Sequence, residues 1–147
     1  MMDNVFDIAN ISIEELNKRC ENTMSTAIGL VFTEITPSVL RGSMLVNHSN
    51  CQPLRMLNGG ASMAIIEIMG SMAANLVIDR SKFVALGQSI TGNHFRPVRE
   101  GQTVFAEASA IHIGQKSQVW EVSIFQAESK LVCKGTLNMA VVSIISQ

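Results

Sequence analysis

The fold is decided by one stretch of sequence, Leu57-Asn58-Gly59-Gly60-Ala61-Ser62-Met63-Ala64-Ile65-Ile66-Glu67-Ile68-Met69-Gly70-Ser71-Met72-Ala73-Ala74-Asn75. It predicts a glycine turn that opens a long helix, apolar nearly all the way round, and such a helix belongs in a protein core. The helix carries one carboxylate, Glu67, and Ser71 lies four residues on and therefore on the same face. A lone ionised carboxylate in an apolar setting costs free energy on the order of kilocalories. Two interpretations follow: a catalytic Glu67, or a structural one that pairs with an arginine or lies at a subunit interface.

The glycine pair at the start of this helix is the second feature that suggests chemistry. Gly59 and Gly60 place unpaired backbone N–H groups, and the positive end of the helix dipole, where an oxyanion could bind. The side chains of Gln52 and Asn58 precede the helix and Ser71 follows Glu67 by one turn. This combination favours the catalytic interpretation of Glu67.

Composition limits the class of protein. The 147 residues carry a formal net charge of −1, and this length suits one compact domain over residues 1–147. Without a Lys/Arg run and with only 5% aromatic residues, binding to nucleic acid is not expected. Apolar residues reach 47% and charged residues only 16%, a surplus that predicts surface buried between subunits.

The cysteines, the histidines and the N-terminus indicate a cytoplasmic protein without a metal. Cys20, Cys51 and Cys133 are widely spaced, so we expect reduced thiols and neither a zinc site nor a disulfide framework. The three histidines are also far apart, and no metal or other cofactor is predicted. The first ten residues lack the pattern of a signal peptide. Glu67 in the middle of the long helix argues against a membrane span.

The remaining segments predict an α+β layout. A short helix capped by Ser12 should run to about Arg19, and the long helix should end near Ile78. Alternating patterns predict strands over Ala27–Ile35, Val39–Val46, Phe83–Phe95, Thr103–Ile113, Gln118–Gln126 and Leu131–Ser143. Because one long apolar helix needs a sheet large enough to cover it, we expect a curled antiparallel sheet wrapped around one central helix.

The motifs carry a family resemblance that extends over nearly the whole chain. The spaced set consists of Gln52-Pro53, Leu57 to Ser62, Glu67, Gly70 to Ala73, His94 to Val98 and Ile113 to Glu121. In this order the set resembles the signature of the hotdog-fold acyl-CoA thioesterases. Within them it is similar to the PaaI-like branch, which includes the 1,4-dihydroxy-2-naphthoyl-CoA and 4-hydroxybenzoyl-CoA hydrolases. The resemblance implies the hotdog fold and hydrolysis of an acyl-CoA thioester.

The resemblance also implies catalytic roles at the matching positions. Glu67 would act as the nucleophile or as the general base for water, and Ser71 would hold the water or the carboxylate. The N–H group of Gly60 would polarise the thioester carbonyl, and Gln52 would orient substrate and nucleophile. In this family the carboxylate and the glycine turn come from different subunits of a dimer, and a dimer of dimers, a homotetramer, is expected.

A second set of positions matches residues that line the path of CoA in the family. Arg96 and Lys116 suit contacts with phosphate, Arg96 through its bidentate fork and Lys116 as a point charge. The full set contains Gly87, His94, Phe95, Arg96, Pro97, His112, Ile113, Gly114, Gln115, Lys116 and Ser117.

Asn58 departs from the family, which commonly has histidine before the two glycines. An amide can donate a hydrogen bond, but it cannot carry charge or shuttle a proton near pH 7. Thioester hydrolysis tolerates this change, because a thiol with a pKa of about 8.5 leaves readily as thiolate. Two other functions stay open: a hotdog dehydratase or hydratase, against which Asn58 argues, and a non-catalytic protein that binds acyl-CoA. The small residues Gly70, Ala73 and Ala74 predict room near the site for an aromatic or medium-length acyl group.

Overall fold

The computed structural model describes residues 2–144, apart from the side chain of Glu128. Within these residues, three α-helices and six strands form the fold, together with single 3-10 turns at Ile8–Asn10 and Ala127–Ser129. The helices are α1 (Ile13–Arg19), α2 (Met24–Ile28) and α3 (Gly59–Leu76). The strands are β1 (Leu30–Ile35), β2 (Val39–Leu45), β3 (Phe83–His94), β4 (Thr103–Ile113), β5 (Ser117–Gln126) and β6 (Lys130–Ser143).

The six strands form one antiparallel sheet in the order β1-β2-β4-β5-β6-β3. The helix α3 packs against five of them, β2 to β6. Five flat strands would span about 19 Å, whereas a helix is only about 10–12 Å wide. The sheet therefore curls around α3, and the predicted architecture is confirmed.

The core lies between α3 and the inner face of the sheet. Ile65, Ile66 and Met69 of α3 are fully buried, as is Trp120 of β5. Gly70 brings the helix close to β6, since a Cβ atom at this position would lie 2.7 Å from Cδ2 of Leu137. The glycine is therefore used for packing, with no room for a larger side chain.

One predicted strand is partly wrong. The segment Ala27–Ile35 was expected to be extended throughout, but β1 begins only at Leu30, and Ala27 and Ile28 belong to α2. Gly29 ends α2 with a φ of +80°, and its N–H group donates to the carbonyls of Ser25 and Thr26. This left-handed cap is easy for glycine and lets the chain reverse into the sheet.

The two edge strands of the sheet differ in how they are covered. On β1, the amide of Asn17 donates to the carbonyl of Phe32 at 2.8 Å and accepts from its N–H group at 2.9 Å. On β3, the far edge has no partner strand among residues 2–144, and its apolar side chains Leu86 and Ile90 are 52% and 37% exposed. An uncovered edge with apolar side chains is a surface suited to pairing.

No helix in the described part of the chain combines the length and the hydropathy needed to cross a membrane.

Candidate active site

The central pair of the site is Glu67 and Ser71 on α3. The Ser71 hydroxyl donates a hydrogen bond to Oε1 of Glu67 at 2.8 Å, and both residues are half-buried. The shared helix face predicted from their spacing is therefore observed. The carboxylate lies at an open groove and not in the closed core. The apolar residues around it in sequence would have suggested the core.

Gly87 forms the wall behind this carboxylate. A Cβ atom at Gly87 would lie 2.6 Å from Oε1 of Glu67 and 3.0 Å from Oε2. The register of β3 against β6 shifts between Gly87 and Ser89, so the glycine stands at a β-bulge. The sequence had placed Gly87 on the path of CoA, whereas the structure places it against the carboxylate.

Asn75 ties this part of α3 to β3. Its amide donates to the carbonyls of Ser71 and Ala85, both at 2.9 Å, and accepts from the N–H group of Ala85 at 3.0 Å. The polar groups of both Asn75 and Ser71 are thereby engaged. Sequence reasoning missed Asn75, although it lies one helical turn after Ser71, as Ser71 lies one turn after Glu67.

A groove of about 550 Å³ extends from Glu67 towards the C-terminal end of α3. Its floor and walls are largely apolar side chains from α3 and β3. The side chains that line it include Arg19, Ile68, Met72, Leu76, Arg80, Val84 and Leu86. The groove is the space nearest to the carboxylate in which part of a substrate could bind.

Asn58 caps α3. Its Oδ1 accepts a hydrogen bond from the N–H group of Gly60 at 2.7 Å. Because an N–H group can only donate, the atom facing it is the amide oxygen, and the NH₂ group of Asn58 points away from the helix. That NH₂ group has no hydrogen-bond partner among the described residues. Asn58 can therefore still donate a hydrogen bond through this group, as predicted. The N–H group of Gly60, in contrast, already donates to Asn58.

Asn50 holds the loop that carries Asn58. It is 3% exposed; its amide donates to the carbonyls of Ile28 and Leu45, and it accepts from the N–H group of Asn47. The Asn50 carbonyl in turn accepts from the N–H group of Asn58 at 3.0 Å. Asn50 lies in an irregular polar stretch, where no sequence pattern separates it from its neighbours.

A cleft of about 300 Å³ lies beside the first turn of α3. It brings Gln52 and Gly59 together with the predicted segment His94 to Pro97, which includes Phe95. A Cβ atom at Gly59 would lie 3.5 Å from Cε1 of His94, so the imidazole ring packs over the glycine turn. Arg96 is exposed, and its Nη1 donates to the carbonyl of Leu131 at 2.7 Å.

The other segment predicted to contact CoA, His112 to Ser117, lies elsewhere. Ile113 to Lys116 line a separate groove of about 820 Å³ together with Val77 and Ile78, just beyond the C-terminal end of α3. On β6, His94 pairs with Cys133 and Ser117 pairs with Ala140. These seven residues of strand span about 23 Å. Within one chain, the two segments lie at opposite ends of the sheet.

Glu67 and Gly60 are also separated within one chain. They are seven residues apart on α3, which corresponds to about 10 Å along the helix axis. Both groups cannot contact the same thioester carbonyl at that separation. One chain therefore holds two parts of a site, the carboxylate with its groove and the helix N-terminus with its cleft.

The residues expected to leave room for the acyl group do not do so. Gly70 packs against Leu137, and Ala73 and Ala74 are fully buried in the core. The prediction was wrong because these residues lie on the core face of α3. The groove beside Glu67 provides the room instead.

Comparisons with known proteins show the family. A family model described as thioesterase superfamily matches residues 54–133. The chain belongs to the thioesterase superfamily. Proofreading thioesterase EntH of Klebsiella pneumoniae is 34% identical over 131 residues, which cover 89% of this chain and 94% of that protein. A relative from Vibrio cholerae is 39% identical and covers 89% of this chain and 86% of its own length.

Solved thioesterases share the fold. A mutant thioesterase from Pseudomonas aeruginosa superposes with a TM-score of 0.89 at 33% identity and covers 92% of this chain and 96% of its own. A thioesterase from Haemophilus influenzae gives the same TM-score at 31% identity, and the match covers 100% of this chain and 99% of that one. This thioesterase superfamily member therefore has the hotdog fold and is a thioester hydrolase.

A Staphylococcus aureus thioesterase has been solved as two variants, with TM-scores of 0.78 and 0.76, each at 27% identity. The two structures cover 82% and 80% of this chain, and 99% and 97% of their own. One variant replaces a glutamate and the other a glutamine, both by alanine, and the two positions are fifteen residues apart. Gln52 and Glu67 have the same spacing.

Among the described residues, no group of three or more His, Cys, Asp or Glu side chains is arranged to hold a metal ion.

Proposed function

We propose that this thioesterase superfamily member hydrolyses an aromatic or medium-chain acyl-CoA, with Glu67 as the attacking nucleophile or as the base that activates water. The observation that carries the proposal is the Glu67 carboxylate, held by the Ser71 hydroxyl at 2.8 Å and open to a largely apolar groove. A carboxylate in this setting is positioned and accessible, as either role requires. The shared spacing of Gln52 and Glu67 with two mutated residues of a solved thioesterase supports the assignment.

The site is completed by a second copy of the chain. Because about 10 Å separates Glu67 from Gly60 along α3, the carboxylate of one copy must meet the glycine turn of another. The first turn of α3 then presents backbone N–H groups and the positive end of the helix dipole to the developing oxyanion. A donor at that position can be worth about 3 kcal/mol in the transition state.

Asn58 contributes through its free NH₂ group. With Oδ1 held by the N–H group of Gly60, the amide is fixed and needs no reorganisation before it donates to substrate. Gln52 lies in the cleft at the same turn and orients the substrate. His94 and Arg96 line that cleft, where Arg96 provides a guanidinium group for the CoA phosphates.

In a dimer, the far end of one chain contributes the second CoA segment. Lys116 and its loop lie about 23 Å from His94 along β6, at the other end of the sheet, so we assign them to the CoA molecule bound by the neighbouring copy. The uncovered edge of β3 offers the surface for such pairing, and two dimers then form the proposed tetramer.

The deciding experiment is Glu67→Gln with an aromatic and a medium-chain acyl-CoA, followed by release of free thiol. The replacement keeps size and polarity but removes the attacking charge, so kcat should fall on the order of 100-fold or more. Folding should be retained, because a neutral amide is easier to bury than a carboxylate.

The matched control is Glu121→Gln, which replaces a half-buried carboxylate on β5 that pairs with Lys134 on β6. It should leave kcat unchanged. Parent-level hydrolysis of both thioesters by the Glu67→Gln protein would show that the mechanism proposed here is wrong. Interconversion of a 3-hydroxyacyl-CoA and a 2-enoyl-CoA with the thioester intact and no thiol released would favour a dehydratase or hydratase.

A further inference from the structure

We infer that the acyl group of the substrate carries a carboxylate at the end distant from the thioester, and that Arg19 and Arg80 bind this carboxylate. The inference rests on the proposed function and adds the class of acyl group. It comes from the groove beside Glu67, whose lining contains both arginines.

The two arginines have no partner of their own. Neither forms an ion pair or a side-chain hydrogen bond with any described residue. The carboxylate next to Arg80 is engaged elsewhere, since Asp79 accepts from the Ser81 hydroxyl at 2.5 Å and pairs with Lys82 at 3.0 Å. Hydrogen bonds from Ser81 and Lys82 lower the pKa of Asp79 to about 2. Two guanidinium groups are therefore left at the groove without a counter-ion from the described chain.

The position of Arg80 favours an anion far from the reacting carbonyl. Between Glu67 and Leu76, α3 rises about 13 Å, and Arg80 follows beyond the end of the helix. An anion close to Glu67 would be repelled by its charge, whereas one near Arg80 is separated from it and attracted. A carboxylate suits the planar fork of arginine.

The wall between the two charged ends suits hydrocarbon. Ile68, Met72 and Leu76 line it from α3. The polar groups along this wall are already used, because Ser71 donates to Glu67 and Asn75 bonds to α3 and β3. The amides of a pantetheine arm would find few partners there, and an alkyl or aryl chain needs none. This favours the acyl group over the CoA phosphates as the source of the anion.

The test uses matched thioesters of N-acetylcysteamine, which lack the nucleotide and its phosphates. The pairs are hexanoyl and hexanedioyl, octanoyl and octanedioyl, and decanoyl and decanedioyl. In at least one pair, the parent protein should show a higher kcat/KM for the dicarboxylic member, and added salt should reduce this preference.

The double variant Arg19→Gln/Arg80→Gln should lower kcat/KM for that dicarboxylic ester by about tenfold or more relative to its neutral counterpart, mainly through KM. The control Lys18→Gln removes an exposed cation next to Arg19 that does not line the groove, and it should change neither value. A second double variant, Arg19→Gln/Arg80→Lys, keeps a positive charge at position 80. It should recover part of the preference for the dicarboxylic ester.

Three results would overturn the inference. One is a preference for the neutral ester in every pair. Because hydrolysis still proceeds in that case, the proposed thioesterase function would stand. Another is an effect of the double variant on CoA esters alone, which would assign the arginines to the phosphates. The third is no thiol release from any ester, including CoA esters, which would remove the proposed function as well.

Discussion

We expect the reactivity proposed for Glu67 to depend on a single neighbouring glycine. Gly87 leaves no space for a side chain, because a Cβ atom would lie 2.6 Å from Oε1 of Glu67. The carboxylate can move away, since it ends a flexible side chain that faces an open groove. Such a movement would break its alignment with Ser71 and cost little stability.

We therefore expect Gly87→Ala to lower kcat by about 100-fold, the scale for a misplacement of about 1 Å, with a melting temperature close to that of the parent. Steady-state kinetics and thermal unfolding measured on the same preparation would check this. The control Ser89→Ala, on the other side of the bulge and hydrogen-bonded to Asn138, should keep kcat. Unchanged turnover in the Gly87→Ala protein would mean that the carboxylate has more freedom than this contact allows.

At the scale of elements, α3 is both the centre of the core and the source of the catalytic groups that we propose. Its N-terminus depends on Asn58, which accepts from the N–H group of Gly60 and satisfies one of the unpaired donors of the first turn. We propose that the NH₂ group of the same amide donates to the substrate. We therefore expect Asn58 to contribute to both the stability and the activity of the protein. Different substitutions of Asn58 should separate the two contributions.

Asn58→Ala removes the cap and should lower the free energy of unfolding by about 1 kcal/mol. Asn58→Asp keeps a capping oxygen and should keep the stability, but it loses the NH₂ donor and should lower kcat. Asn58→His restores the residue common in the family and should preserve or raise activity. Denaturant unfolding and kcat measured for the three variants would check this. Equal activity in the Asn58→Asp and parent proteins would exclude the donor role.

At the scale of the whole molecule, the site predicts the assembly. One chain holds the carboxylate and the glycine turn about 10 Å apart, so the proposed mechanism requires a second copy. The open edge of β3, with Ile90 37% exposed, is the surface we assign to that contact.

Sedimentation at micromolar protein should show a dimer or tetramer of the 16.0 kDa chain. Ile90→Lys places a charge on the edge of β3 and should shift the protein towards monomer and reduce activity together. Met24→Lys changes an equally apolar exposed residue on α2 and should do neither. A monomer with full activity would contradict the shared site.

Much of this protein could be predicted from periodicity and spacing alone. Local rules predicted the helix α3, the shared face of Glu67 and Ser71, and the strands after the helix. They did so because the helix and strand periods are properties of the backbone. Trp120, Val122 and Ile124 alternate along β5 and are fully buried, as the two-residue period of a strand requires. The family resemblance added the roles of the site residues.

What required the tertiary structure were contacts between residues distant in the chain. Gly87 lies twenty residues after Glu67, and only the packing of β3 against α3 places it at the carboxylate. Gly70, Ala73 and Ala74 were assigned to the site because composition does not show which face of an apolar helix turns inward. Arg19 ends α1 and Arg80 lies in the turn between α3 and β3, and only the packing of these segments places both at one groove. Local periods predict elements, but the neighbours of a side chain depend on how those elements pack.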